Sequence, residues 1–253
     1  MGNLRCAFVV GLVAGCAVSG ARAGGPATFF PDHSLFTQYV GAHGKLMKGL
    51  EDFEESTAPP GSKTSFPNPL QHGVPRPEFD NGIDATNLII QTNITQGPVP
   101  PVPNPSNHPN ALWVNGQGFI GSNSIKVGTD EFLSQMFSSI DLIFTTHDKT
   151  AVGLDLSVFN NFNNGHNGFI VSAFDQSNNV LGVYNIVGPT PVEPSKTFIG
   201  VFSTVPIARV NVWGVFSVPE PFAVDNIEMW VPAPGGLGVL GMGAVVVGRR
   251  RRR

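Results

Sequence analysis

Two acidic patches carry most of the chemistry that this sequence could perform. The first is Leu50-Glu51-Asp52-Phe53-Glu54-Glu55, and the second is Phe222-Ala223-Val224-Asp225-Asn226-Ile227-Glu228-Met229-Trp230. In the second, the period-two alternation of a strand places Asp225 on one face with Ala223, Ile227 and Met229. A carboxylate on an apolar face is costly unless it is paired or holds a cation. First and last strands are commonly neighbours in sandwich folds, so Glu51, Asp52 or Glu54 would reach the same oxygen-rich pocket as Asp225. Such a set suits Ca²⁺, a hard cation that takes about 6–8 oxygen ligands. The plainer alternative leaves Asp52 and Glu54 solvated and has Asp225 cap a turn or meet Arg209.

Aromatic rings offer a second chemistry, because they stack on the apolar faces of sugars. Trp113, Trp213 and Trp230 are the candidates, although a tryptophan in a sandwich is more often core. The run Asn160-Asn161-Phe162-Asn163-Asn164-Gly165-His166-Asn167 supplies amides suited to hydroxyl groups, with Asn163 and Asn164 at its centre; its plainer role is a turn. Catalytic signatures are missing from the sequence. There is no Gly-x-Ser-x-Gly elbow, Gly44-Lys45 lacks the upstream glycine of a phosphate loop, and the six histidines form no His-Glu-x-x-His. His147 and Asp148 are neighbours on the chain, and on a strand neighbours point to opposite faces. A non-catalytic domain is expected.

The elements that must position these residues are strands. Short β-rich runs recur between turn residues at 88–91, 111–114, 140–145, 151–159, 168–174, 180–187, 197–202, 207–213 and 222–230, many with period two. Val210 and Val212 fall on one face, Arg209 and Asn211 on the other. One short helix is expected after Asp32, which caps it, with Leu35, Phe36, Tyr39 and Val40 on one face and Gly41 and Gly44 ending it. The proline-rich stretch 97–105 cannot pair inside a sheet, because proline lacks the donor. It reads as a surface loop within one domain, with a two-domain split as the alternative.

Composition agrees. Of 253 residues, 30 are glycine and 22 proline, and only 13% are charged, which favours turns and strands over charged helices. Seven of the 15 Lys+Arg lie in the ends (Arg5, Arg22 and Arg249 to Arg253), leaving eight in a body that holds all 18 acidic residues. A body this acidic repels phosphate backbones, which argues against nucleic acid, and attracts cations. Both cysteines, Cys6 and Cys16, lie near the N-terminus, so the body has no disulfide or thiolate chemistry.

The ends read as targeting. Arg5, an apolar run from Cys6 to Val18, and Ala21-Arg22-Ala23 make a signal peptide cut after Ala23, with the Sec translocon and signal peptidase as partners. A rival lies within it: Val13-Ala14-Gly15-Cys16 resembles a lipoprotein box that would lipidate Cys16. At the other end Pro232-Ala233-Pro234 precedes a 14-residue apolar run, Gly235 to Gly248, and then five arginines. As a helix that run spans roughly 21 Å, short of a hydrocarbon core of about 30 Å. The order of Pro-x-Pro, apolar run and arginine cluster resembles the PEP-CTERM sorting signal, with Ala233 where the family has Glu. The resemblance implies processing by an exosortase-type membrane enzyme, with Pro232, Pro234 and Arg249 in the signal; a plain tail anchor is the alternative.

Asp52-Phe53-Glu54 near the start and Asp225-Asn226-Ile227 near the end resemble the framework of MAM-type and carbohydrate-binding-module jelly rolls. The stretches 198–203, 206–210 and 223–227 are similar to the sandwich common in PEP-CTERM proteins. The resemblance to MAM-type and carbohydrate-binding-module jelly rolls implies a structural calcium on Asp52, Glu54 and Asp225. The whole then reads as a signal peptide (1–23), a short helix and lead-in (24–47), an all-β antiparallel jelly-roll-like sandwich (48–230) and a sorting tail with an apolar helix (231–253). The expected function is an exported envelope or extracellular module that binds polysaccharide with calcium support. The alternatives are a matrix protein without a small ligand and, further off, a glycan hydrolase.

Overall fold

The computed structural model describes residues 25–92, 111–117, 124–129, 137–158, 168–187, 196–215 and 222–234. Its elements run β1 (Ala27–Phe30), α1 (His33–Ala42), β2 (Lys45–Glu51), β3 (Lys63–Pro67), β4 (Leu70–Gln71), β5 (Leu88–Thr92), β6 (Ala111–Asn115) and β7 (Lys126–Thr129), then β8 (Phe137–Phe144), β9 (Ala151–Val158), β10 (Gly168–Phe174), β11 (Val180–Val187), β12 (Thr197–Ser203), β13 (Arg209–Val215) and β14 (Phe222–Pro232). The strands form two antiparallel sheets. The larger runs β1-β12-β9-β14-β7-β6-β3, with β2 also paired to β14; the smaller runs β11-β10-β13-β8-β5-β4. Between them lies one core, to which Phe66, Val114, Leu154 and Val224 come from the larger sheet and Ile90, Leu142, Val171 and Val212 from the smaller. The fold is the expected all-β sandwich.

Alternation places the faces. Val210 and Val212 enter the core while Arg209, Asn211 and Trp213 alternate with them on the outer side of the smaller sheet. Strands on both sides of the proline-rich stretch interleave: β3 pairs with β6, β5 with β8 and β2 with β14. Strands from both sides of that stretch therefore share the same two sheets. The start of the sandwich differs from expectation, because β1 pairs with β12 and β2 with β14, so residues 25–47 belong to the sandwich and are not a lead-in.

The helix begins as its sequence dictates, with the Leu35 amide donating to Asp32 Oδ1 at 2.8 Å. It docks on the outer side of the larger sheet, where Phe36 and Val40 pack with Ala151 and Phe202. Leu35, assigned to that face by period, is exposed. Gly200 and Gly153 face each other across β12 and β9 directly beneath the Phe36 ring. A Cβ on Gly200 would lie 2.3 Å from Phe36 Cδ2, so the helix can approach only because there is none. Gly200→Ala is expected to cost about 1–3 kcal/mol through overpacking, read as a lower urea midpoint at unchanged slope.

The signal-peptide residues, including Ala23, the loop of Asn163 and Asn164, and the apolar tail with Arg249 lie outside the described residues. Among the described residues no helix is long and apolar enough to cross a membrane. Pro232 closes β14 and Pro234 follows it, both exposed.

Candidate functional site

β2 brings the first acidic patch alongside the last strand, with Glu51 opposite Ile227 of β14. The chain then turns sharply. Phe53 adopts φ of 60° with its ring fully buried, a conformation that a bulky side chain holds only when its surroundings enforce it. The turn wraps around Glu51, whose Oε1 accepts from the Phe53 amide and Oε2 from the Ala85 amide, both at 2.9 Å. Carboxylate oxygens of Glu51, Asp52 and Glu55 lie within 4.8 Å of one another. Glu51 is almost fully buried, and Glu55 Oε1 is buried without a hydrogen-bond partner.

Electrostatics follow from that crowding. Burial pushes the Glu51 carboxyl up to about 8, against the two amide hydrogen bonds and helped by the neighbouring Glu55. Glu55 is raised too, first by burial and then by the charge of Asp84. Hard oxygen donors gathered in one place fit a divalent cation of the calcium type. Glu51, Asp52 and Glu55 would hold it, and it would supply the positive charge that lets all three ionise together.

Only part of the expected ligand set is here. Asp52 belongs to the cluster. Glu54 is exposed, because the reversal at Phe53 turns Glu55, not Glu54, towards Glu51. Asp225 is elsewhere. A bulge interrupts the pairing of β14 with β9 between Asp225 and Glu228, and Asn226 has φ of 48°. The extra residue breaks the alternation, so Ile227 and Met229 enter the core while Asp225 keeps to the outer face with Ala223. There Asp225 Oδ2 accepts from Ser124 Oγ and Oδ1 from the Asn226 amide, each at 2.8 Å. Burial raises its pKa, and Ser124, Lys196, the Asn226 amide and Lys126 oppose that rise. Neighbouring Asp155 pairs with Lys196 at 2.5 Å and accepts from Asn226 Nδ2. Asp155 is thus paired with an ammonium, while Asp225 is held by a hydroxyl and an amide.

The aromatic candidates separate similarly. Trp113 is fully buried beside Ala223 with the Lys63 ammonium 4.8 Å from its ring centroid, so it cannot offer a face to a sugar. Trp230 packs edge-on against Phe36, and its Nε1 donates to Glu228 Oε2. Trp213 is half-buried on the outer side of the smaller sheet.

No family model matches the chain, and no curated protein matches it. Among solved structures, a mutant of a family 29 carbohydrate-binding module aligns over 67% of this chain and 92% of its own at 8% identity, with a TM-score of 0.33. The cleaved adhesin domain K3 of Lys-gingipain from Porphyromonas gingivalis aligns over 74% and 99% at 15% identity, with a TM-score of 0.34. The enzymatically active domain of tailspike protein 4 from bacteriophage CBA120 aligns over 57% and 19% at 14% identity, with a TM-score of 0.28. Likenesses this distant say nothing of ligand or mechanism for this chain.

Asp84 and the partners of Arg209 and Asn211 were not singled out by the sequence. Asp84 reaches the cluster from a turn before β5, and only tertiary contact brings it there. On the smaller sheet's outer face, Arg209 Nη1 donates to Asp141 Oδ1 at 3.2 Å and Nη2 to Asn178 Oδ1 at 3.1 Å. Asn211 Nδ2 donates to Asp141 Oδ1 at 2.8 Å and to Ser139 Oγ at 2.6 Å. The signal for this network was the polar alternation Arg209-x-Asn211, which marked the face but not its burial.

Proposed function

We propose that this chain is an exported, non-catalytic binding module of the cell surface, whose sandwich is held by a calcium-type cation and recognises polysaccharide. The observation that carries the reading is the crowding of Glu51, Asp52 and Glu55 around the junction of β2 with β14. A cation there would hold the turn that follows β2, the strand paired with β14. The acidic body adds a general attraction for cations.

Calorimetry of the chain with Ca²⁺ tests the cation. Binding of one ion is expected, with a stabilisation of about 2.7 kcal/mol at a free concentration one hundred times Kd. Glu55→Gln should weaken that binding by at least tenfold while leaving the strands formed. No heat and no thermal shift with calcium would end the reading. A glycan array probed with and without calcium tests the polysaccharide part.

Export is part of the same proposal: a signal peptide removed after Ala23 and a sorting tail that begins at Pro232. Mass spectrometry of the mature protein should find Gly24 at the N-terminus; a diacylglyceryl Cys16 would overturn that cleavage.

A second reading, an interaction protein without a small ligand, is favoured by one feature. Leu46, Met47 and Leu50 on β2 are all exposed, each at 44% or more. Apolar side chains on one strand suit contact with another protein surface. A blank glycan array under saturating calcium would favour it.

A further inference from the structure

Beside the cation cluster, on the side of Asp84, lies a cleft of about 170 Å³. Lys48, Gly49 and Leu50 of β2 form one wall, the turn Asp84-Ala85-Thr86-Asn87 another, and Lys149 with Met229 the floor. Two hydrogen bonds hold the turn that forms its second wall. The Ala85 amide is fixed by Glu51 Oε2 at 2.9 Å, and the Asn87 carbonyl accepts from the Thr145 amide at 3.1 Å. Lys149 is buried, and its ammonium donates to Thr146 Oγ1 at 2.7 Å and Asp148 Oδ1 at 2.5 Å. Lys48 reaches the other oxygen of Asp148 at 3.2 Å.

The lining chooses the chemistry of the occupant. Two ammonium groups, Lys48 and Lys149, line the cleft with one carboxylate, Asp84. Both lysines are paired with Asp148, so these four charges sum to zero. Asp148 stays ionised: burial opposes this, but the hydrogen bonds from Lys149, Thr146 and Lys48 hold it well below the usual carboxylate range. An anion would meet Asp84, and a cation would meet the lysines. An ammonium has three N–H groups, and the exposed Lys48 gives one to Asp148, which leaves two for a ligand. Asp84 offers acceptors, and Thr86 and Asn87 offer both. Leu50 and Met229 add an apolar surface. Donors, acceptors and an apolar patch within one neutral cavity match a polyhydroxylated ring with a C–H face. The volume is below the roughly 300 Å³ at which pockets for larger ligands begin, so one ring fits and a longer segment does not.

We infer that this cleft is a subsite for a single neutral sugar residue, the end or a branch of a polysaccharide, and that the cation site governs it. The inference rests on the polysaccharide reading above and adds the place, the charge class and the control. Control follows from Glu51, which belongs to the cation cluster and also holds Ala85 in the cleft wall. Filling the cluster fixes the turn that presents Asp84, Thr86 and Asn87, so sugar binding strengthens with calcium and, by linkage, calcium binding strengthens with sugar.

The test uses the full chain with neutral methyl hexosides and with a uronate, followed by ligand-observed NMR in saturating calcium and in chelator. Neutral hexosides should bind in calcium and at least tenfold more weakly in chelator, and the uronate should bind at least tenfold more weakly than its neutral counterpart. Thr86→Trp, at an exposed position on the lip, should abolish sugar binding with calcium calorimetry unchanged. Lys48→Ala and Leu50→Ala, also exposed, should each weaken it at least threefold. Sugar binding undiminished in Thr86→Trp would overturn the cleft and leave the polysaccharide reading standing. Preference for the uronate would overturn the charge argument, and with it the inference. Calcium binding without any sugar or glycan-array binding would remove the polysaccharide reading and the cleft together.

Discussion

Protein held in chelator should lose stability at about 1.4 kcal/mol per pH unit as the pH rises from near 5 towards 8, and calcium should remove the loss. The cause is Glu51. Its carboxyl has an ordinary value of 4.5, and burial raises it to about 8 in the fold. Between these values the native state keeps a proton that the unfolded chain has released. The native state is then favoured by low pH: its advantage is complete below about 4.5 and is lost as the pH rises through about 8. Glu55, also raised, acts in the same direction. A bound cation reverses the preference, because ligation needs ionised carboxylates. Calcium binding at pH 7 should therefore release protons, seen as a dependence of the measured heat on the buffer's ionisation enthalpy. Affinity should climb with pH up to about 8 and flatten beyond it. Urea titrations at pH 5, 6, 7 and 8, with calcium and with chelator, read the stability directly. Parallel curves in the two media would show that the cluster binds nothing.

Asp141→Ala should cost about 3–5 kcal/mol, one of the largest losses available to a single substitution outside the apolar core. Asp141 and Arg209 are both buried, at 1% and 7% exposure. Removing the carboxylate strands the guanidinium away from water and takes an acceptor from Asn211 as well. At this chain length the loss corresponds to a fall in Tm of roughly 10 °C. Arg209→Met combined with Asp141→Leu should cost far less than either charge removed alone, because no unpaired charge is left behind. Arg209 also stacks on Phe174, with its guanidinium carbon 3.9 Å from the ring centroid, a contact that the longer apolar replacement partly keeps. Denaturant midpoints of the two single variants and the double variant form the cycle; additive losses would mean the pair is not coupled.

The strands with a buried face were legible in the sequence, since alternation is the signal that burial leaves. β9, β10, β12 and β13 lie within a residue or two of where period two placed them. β2 was not, and its sequence says why: Lys45-Leu-Met-Lys-Gly-Leu-Glu51 has no alternation, and apart from Glu51 its side chains are exposed or half-buried. β1, β4 and β7 are too short to show a period. In the candidate site, the meeting of the first acidic patch with the last strand was expected and occurs, with Asp52 beside Glu51 and Glu55. Glu54 and Asp225, the other two expected ligands, lie away from the cluster for one shared reason. A residue with positive φ, Phe53 in the first case and Asn226 in the second, reverses the faces of whatever follows it. Neither is glycine, so composition gives no warning. Asp84 needed the third dimension, as did the fixing of Ala85 by a carboxylate 34 positions earlier.

β14 has a consequence beyond chemistry. It is not an edge: β9 lies on one side, and β7 and β2 share the other. Any pull on the chain beyond Pro234 enters the fold through this strand. Loaded along its length, β14 would have to slide against ladders on both sides at once, breaking their hydrogen bonds in parallel. An edge strand peeled from its end would yield them one at a time. The fold therefore meets tension from its C-terminus on an interior strand and not on an edge.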